Sequence, residues 1–516
     1  MSIKTVIEQC TQSLRTQPAD FAQALHSRLE RDLKKTASNP QVQEKCLAEL
    51  ESDSPLFIQL LEEQAAHPLL IQDFLKAYFT YKLAPTFHIS LDSIQAVTLS
   101  DCLNSEQLAP SYFDRGCLAL KKAAVLKVNG GLGTTMGLTG PKSLIEVFPN
   151  QHFLDIICQQ LTTLNQDFAE HIPLILMNSY NTQTATANAL KQYPDLPHNM
   201  FLQGIFPRID SNTGLPFQHP DYPRSAPIHF NPPGHGNLFL SLHTSGTLKQ
   251  LLDQGIETLF ISNADNLGGT LDLSLLGYMH TKELEFMIEV TQKTPADVKG
   301  GTIVKQDSHY LLLERAQVAD HELADFENAE QFSIFNTNNL WINLHVLQEK
   351  IENDALNLPI IANPKYVDGQ DVIQLESAMG AAVSVFDRVE IVNVNRSRFL
   401  PVKKCSDLML LQSDCYRLNA AGVPSKQQPN RANPEIQLSD EFQDIKGYKK
   451  RIQHVPSLVR AESVKLIGNI SLLENVIFEG RVEVILRPGE SLELKNIHVK
   501  NQRLHLDGGT LALDDI

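Results

Sequence analysis

An α/β fold built on a mainly parallel sheet is predicted by three features of the chain. Short apolar runs of strand length recur through its middle. Helix-like segments separate several of them, and the first run ends directly in a glycine-rich turn. That first run is Ala-Ala-Val-Leu-Lys-Val at 123–128, as for a strand buried in a parallel sheet. Further runs follow at Pro173–Met177, Thr258–Ser262, Glu285–Val290 and Asn339–Ile342. Phe153–Asn165 and Leu238–Asp253 read as helices between them, and such alternation implies βαβ units.

The flanks read differently. From Met1 to about Asp101 the pattern is mostly helical: Phe21, Leu25, Leu29 and Leu33 recur four apart, and Leu56, Leu60 and Leu61 begin another stripe. No chemistry stands out there, so this is a packing or regulatory layer. Seven prolines between Pro207 and Pro233 predict a long ordered loop near a ligand. Toward the end, Val464, Ile470, Val476 and Val482 are spaced by six, the period of a β-helix whose coils must stack to bury a face. The pattern breaks at Arg487-Pro488-Gly489 and resumes at Leu492, Leu494, Ile497 and Val499; an ordinary meander of strands is the other reading.

At 516 residues the chain is long enough for about three domains. These are expected as a helical region over 1–108, an α/β domain over 109–405, and a tail over 406–516 with linker helices and the β-helix. A composition of 42% apolar and 20% charged residues excludes wholesale disorder. Net charge is 44 − 60 = −16, which argues against a nucleic-acid binder but leaves room for a local phosphate site. No apolar stretch approaches the ~18 residues of a membrane helix, so no membrane partner is expected. Met1 to Gln12 lack the apolar run of a signal peptide, and the seven cysteines are scattered with no CxxC pair. A reducing, cytoplasmic location is the expectation.

Lys127-Val-Asn-Gly-Gly-Leu-Gly-Thr-Thr-Met-Gly-Leu-Thr-Gly-Pro-Lys-Ser143 is the most informative segment. Five glycines (Gly130, Gly131, Gly133, Gly137, Gly140) after a strand let backbone N–H groups approach an anion, and Lys142 adds a compact charge for phosphate oxygens. The dinucleotide fingerprint fails because Met136 stands where its third glycine belongs, and Asp155 lies at a helix start. The P-loop fails because Pro141 separates Gly140 from Lys142.

The loop resembles the nucleotide-binding loop of the eukaryotic-type UTP–glucose-1-phosphate uridylyltransferase family. Further matches run in order: Pro232-Pro-Gly-His-Gly236, Ser262-Asn-Ala-Asp-Asn-Leu-Gly268, Ala296-Asp-Val-Lys-Gly-Gly-Thr302, Phe335-Asn-Thr-Asn-Asn-Leu-Trp341, Val372-Ile-Gln-Leu-Glu376 and Arg396-Ser-Arg-Phe-Leu-Pro-Val-Lys403. The resemblance implies a Rossmann-like mixed-sheet nucleotidyltransferase core and a left-handed β-helical tail that serves assembly, giving a homo-oligomer. It implies that the phosphate of glucose 1-phosphate attacks the α-phosphorus of UTP, forming UDP-glucose and pyrophosphate. Such a reaction rests on positioning and charge stabilisation rather than a protein nucleophile.

By the same resemblance Lys142 and Lys403 are the catalytic pair, Lys142 on the triphosphate and Lys403 on the α-phosphate and sugar phosphate. Asp265, at the carboxyl end of its strand, is the expected Mg²⁺ ligand, flanked by Asn263 and Ala264 at the nucleotide. Read alone, Asp-Asn-Leu-Gly would be a turn, and Lys403 a solvated lysine among Arg396, Arg398 and Lys404. Gln203 resembles the glutamine that reads uracil, with backbone of Val128, Asn129, Gly130 and Gly131 beside it; Gly234 contacts the nucleotide. His235 and Asn338 match positions on the sugar phosphate, while Lys299 and Glu314 take supporting roles. Where the family continues Gly-His-Gly with Asp, this chain has Asn237. Two other readings stand beside the main one: a pyrophosphorylase for other UDP-sugars or N-acetylhexosamines, and a catalytically silent nucleotide-sugar binder.

Overall fold

Residues 40–83, 88–294, 297–506 and 509–511 are described by the structure, a computed structural model of the chain. The predicted stripe Phe21 to Leu33 lies outside them. The chain forms two compact units: one from residues 1–123, 201–260 and 274–394, the other from 124–200, 261–273 and 395–516.

In the first unit, the helices Pro40–Glu63 and Pro68–Leu83 bury an aromatic cluster. Phe57 lies 5.0 Å from Phe74 and 4.6 Å from Tyr78 between ring centroids, and Phe74 meets Phe206 edge-on at 5.2 Å. Leu60 and Leu61 are buried as expected, but Leu56 is 40% exposed. The helical period turns it away from the face that Phe57, Leu60 and Leu61 share. Leu375, on the hairpin of Ile360–Val367 and Gln370–Ser377, joins this core.

The unit's main strands lie side by side as Leu103–Asn104, Val389–Asn393, Phe286–Gln292 and Ile334–Asn343. The first three are mutually parallel, but Ile334–Asn343 runs antiparallel to Phe286–Gln292, so the sheet is mixed. The connection explains this. The chain between them forms its own hairpin, Thr302–Gln306 with His309–Leu313, instead of the long helix that a parallel crossover requires. The single helix expected over 238–253 is two, Leu238–Thr244 and Thr247–Asp253, broken where Gly246 takes φ 77°. The seven-proline segment is the ordered loop expected, with only short strands at Phe206–Pro207, Ile209–Asp210 and Phe230–Asn231.

The second unit holds the βαβ element read from the sequence. Ala123–Asn129 pairs in parallel with Leu174–Asn178, and the helix Phe153–Phe168 connects them. Asp155 caps that helix, its carboxylate accepting from the His152 N–H at 2.8 Å, which accounts for an acidic residue just inside a helix start. The strand Thr258–Asn263 carries the chain from one unit into the other.

Toward the C-terminus, Glu435–Leu438, Ser457–Ile467, Val476–Leu486 and Ile497–Lys500 form one parallel stack, and Asn469–Leu472, Ser491–Leu494 and Gly509–Leu511 another. Val464, Ile470, Val476 and Val482 are all buried. Val464 stands opposite Val482, an offset of 482 − 464 = 18 residues, or three six-residue steps. A meander would pair its neighbours antiparallel, so that reading falls. No helix among the described residues is long and apolar enough to cross a membrane.

Candidate functional site

The second unit holds the glycine loop, Lys142, Asp265 and Lys403. Its strand Ala123–Asn129 is held from inside by Lys127, which is 2% exposed and donates to Ser262 Oγ at 2.7 Å and the Gly269 carbonyl at 2.6 Å. A buried ammonium is tolerable because it is hydrogen-bonded. Asn129 is also buried, and its amide donates to Asn178 Oδ1 and Thr186 Oγ1, which commits both side-chain N–H bonds inside the unit. The Val128 carbonyl accepts from Ala264 N at 3.1 Å, which commits those two groups to each other. Gly130 is tied through its carbonyl to Ser179 Oγ at 2.9 Å.

Beyond Gly130 the loop folds on itself. Lys142 N–H donates to the Gly131 carbonyl, Leu132 bridges Pro141, and Gly137 adopts φ 67°. A Cβ added at Gly131 or Gly140 would meet no atom within 4 Å, so these two glycines border open space. The side chain of Lys142 then reaches Asp265, with Nζ 2.6 Å from Oδ2; the two side chains are 18% and 17% exposed. That contact unites two residues 123 positions apart, both singled out in the sequence.

Lys403 is presented by a segment that the Asp265 turn anchors. Asn266 accepts from the Leu400 N–H at 2.9 Å and donates to the Arg398 carbonyl at 3.0 Å, while Val402 N–H donates to the Asp265 carbonyl. Asp407 accepts from the N–H groups of Lys403 and Lys404 at 2.8 and 3.0 Å, opening the helix Cys405–Gln412. Burial pushes the Asp407 carboxyl up, against the pull of those N–H bonds and the Lys404 and Lys142 charges. Thr135 of the glycine loop donates to the Lys403 carbonyl at 3.3 Å, and Lys403 itself is exposed. Neither Asn266 nor Asp407 was assigned a role from the sequence. Asp407 is, however, an acidic residue in the first turn of the helix, a position the helix dipole favours.

The remaining candidates lie in the first unit. Gln203 donates from Nε2 to the Gly234 carbonyl at 2.6 Å. Gly234 has φ 77°, and a Cβ there would collide with the backbone of Ser377, so glycine is required. His235 accepts at Nδ1 from the Met379 N–H at 2.9 Å, which leaves Nε2 protonated and free to donate. Burial lowers its pKa to about 4, so the ring is neutral near pH 7.

Asn338 sits in a bulge. The register moves from Ile288 opposite Leu340 to Val290 opposite Asn336, so Thr337 to Asn339 face Glu289 alone. Asn338 takes φ 59°, and its amide oxygen accepts from Asn336 Nδ2 at 2.9 Å. Glu289, 0% exposed, organises the bulge by accepting from Asn339 Nδ2 and Trp341 Nε1, each at 2.9 Å. The sequence did not announce this buried carboxylate. Glu314 lies against Gly301, whose added Cβ would press on the carboxylate, and Lys299 is exposed.

For a cation, Asp265 is a partly buried carboxylate beside a lysine that prefers anions. Among the described residues no group of three or more His, Cys, Asp or Glu could hold a metal by itself. This donor set suits an ion whose other ligands are phosphate oxygens and water, which is magnesium's habit. Among the described residues, the cysteines at 102, 117, 158, 405 and 415 carry free thiols, and burial raises Cys158 and Cys405 to about 12, away from nucleophilic use.

A mixed α/β core, a glycine loop bordering open space and a lysine against a strand-end aspartate define a nucleotide-phosphate-handling α/β protein. Residues 71–479 match the family profile described as UTP–glucose-1-phosphate uridylyltransferase. The chain belongs to that family. It is 42% identical over 414 residues to the UTP–glucose-1-phosphate uridylyltransferase of Astragalus penduliflorus, covering 79% of this chain and 87% of that one. Against the Saccharomyces cerevisiae enzyme of the same name it is 44% identical over 387 residues, covering 73% and 76%. Among solved structures it resembles a mutant UDP-glucose pyrophosphorylase from Leishmania major in complex with UDP-glucose, with TM-score 0.81, 30% identity, and coverage of 87% and 98%.

Proposed function

We propose that this chain is a uridylyltransferase that makes UDP-glucose and pyrophosphate from UTP and glucose 1-phosphate, reversibly. A phosphate oxygen of the sugar phosphate bonds to the α-phosphorus of UTP as the bond from that phosphorus to the oxygen bridging to the β-phosphate breaks. Pyrophosphate carries the electron pair away, so no acyl or phosphoryl enzyme is needed. The observation that carries this reading is Lys142 Nζ at 2.6 Å from Asp265, in a glycine loop whose Gly131 and Gly140 border open space.

Lys142 then neutralises the triphosphate and Lys403 the charge shared between α-phosphate and sugar phosphate. Asn263, Ala264 and the backbone of Val128 to Gly131 line the nucleotide, with Gly234 also against it. Gln203 reads uracil with Oε1 and its second N–H, the first being taken by Gly234. His235, neutral, donates one hydrogen bond to the sugar phosphate without competing for its charge, and Asn338 contacts the sugar. Asp265 would hold Mg²⁺, which when bound neutralises phosphate charge and orients the polyphosphate. Lys299 and Glu314 support these groups.

The same reading takes 1–108 as a helical layer, 109–405 as the Rossmann-like catalytic domain and 406–516 as the assembly tail of a cytoplasmic homo-oligomer. The tail's parallel stacks and its 18-residue offset support a β-helix, taken as left-handed from the family resemblance. The test is pyrophosphate release from UTP across glucose, galactose and N-acetylglucosamine 1-phosphates, with and without Mg²⁺. Glucose 1-phosphate should be preferred and Mg²⁺ required. A preference of ~100-fold or more for the acetylated sugar would transfer the assignment to a sibling pyrophosphorylase. UTP binding without pyrophosphate release would favour a silent binder.

A further inference from the structure

The Gly-His-Gly turn ends in a residue with a second task. Asn237 is 2% exposed and starts the helix Leu238–Thr244. Its Oδ1 accepts from the Gly204 N–H at 3.0 Å and from Ser241 Oγ at 2.6 Å. Its Nδ2 donates to Asp73 Oδ2 at 3.4 Å, on the helix Pro68–Leu83. Ser241 Oγ also receives the Gly204 N–H at 3.1 Å. Gly204 is the neighbour of Gln203, and a Cβ on it would fall 2.9 Å from Asn237 Oδ1 and 3.3 Å from Leu70 on the same helix. Two residues on, Phe206 packs against Phe74.

We propose that Asn237 is a positioning residue for base recognition: it aims Gln203 through the Gly204 amide and clasps that segment to Asp73, making the helix Pro68–Leu83 part of the device that selects uracil over cytosine. The proposal rests on the reading of Gln203 as the uracil-contacting residue. The chemistry asks for an amide at 237. One end of the side chain must accept from two donors while the other donates to a carboxylate, and aspartate would set carboxylate against carboxylate. The helix lies within the region where the sequence showed no chemistry. Asp73 bonds Asn237, Leu70 borders Gly204 and Phe74 packs on Phe206, so the helix lies against this segment.

The test measures pyrophosphate release from UTP and from CTP, with glucose 1-phosphate, for full-length variants. Asn237→Asp is expected to lower kcat/KM for UTP by about tenfold or more, the scale of a broken buried hydrogen bond, and to narrow the UTP:CTP preference. Adding Asp73→Asn lets donor and acceptor trade places and should restore kcat/KM to within about threefold of the parent, as coupling between neighbours predicts. An unchanged preference in Asn237→Asp, or a double variant no better than the single one, overturns the clasp. Should Asn237→Asp not accumulate as folded protein, Asp73→Ala reads the same link: a narrowed preference supports it and an unaltered one sinks it. Gln203→Ala separates the two layers. A full UTP:CTP preference there would remove the base-reading role itself, whereas preference lost in Gln203→Ala and kept in Asn237→Asp would remove the clasp alone.

Discussion

Side chains in this protein act through partners that the sequence did not place beside them. Lys142 and Asp265 meet at 2.6 Å, and each limits where the other can turn. Lys403 owes its presentation to Asp407, which accepts from its own N–H, and to Asn266, which accepts from the N–H of Leu400. On the proposed reading Lys403→Ala should therefore cut turnover by ~100-fold or more while the fold survives, since it removes one charge donor from the transition state and the backbone bonds remain. Steady-state rates beside a melting curve check this, and near-normal turnover would take Lys403 out of the catalytic role. His235 makes a pH prediction. Its ordinary pKa of 6.5 falls to about 4 in the fold. Between those values the unfolded chain binds a proton that the native chain refuses. The stability that depends on neutral His235 is thus complete above pH 6.5 and is lost as pH falls toward 4. In His235→Gln, the drop in Tm between pH 7.5 and pH 5 should shrink; an equal drop in both proteins would contradict the assignment.

At the scale of elements, the strands and the first long helix of the core were legible because their apolar periods are local signals. Ala123–Asn129, Leu174–Asn178 and Phe153–Phe168 follow those signals to within a few residues. What escaped were interruptions. Gly246 splits a helix by going left-handed, and the bulge at Thr337–Asn339 forms because a buried Glu289 needs donors from two side chains. Nothing in a strand's alternation reveals a carboxylate that will be fully buried, since its partners lie 50 and 52 residues away. Glu289→Gln turns an amide N–H toward one of those donors and should cost about 1–3 kcal/mol, read as a lower urea midpoint with an unaltered slope. A midpoint equal to the parent's would mean the bulge does not depend on the charge.

For the whole molecule, the two compact units divide the candidate residues: Lys142, Lys403 and Asp265 in one, Gln203, Gly234, His235 and Asn338 in the other. Sequence domains drawn as consecutive blocks do not anticipate units that each take three separate stretches of chain. The C-terminal strands form two parallel stacks, an architecture that buries its faces by stacking and, on the proposed reading, serves assembly. Truncation before Ala461 should accordingly convert an oligomer to a smaller species on a sizing column, and an unchanged mass would refute the tail's assembly role.

By itself the sequence determined the α/β class, the glycine loop, the lysine and aspartate at its mouth, and the six-residue rhythm of the tail. Each of these is written in residues near one another, where sterics and periodicity act directly. Only the tertiary structure decided which side chains would be partners: Asp265 for Lys142, Asp407 for Lys403's backbone, Glu289 for the bulge, Asp73 for Asn237. Those pairings come from burial and hydrogen-bond satisfaction, which depend on what the folded chain brings within about 3 Å, and no spacing along the chain encodes them.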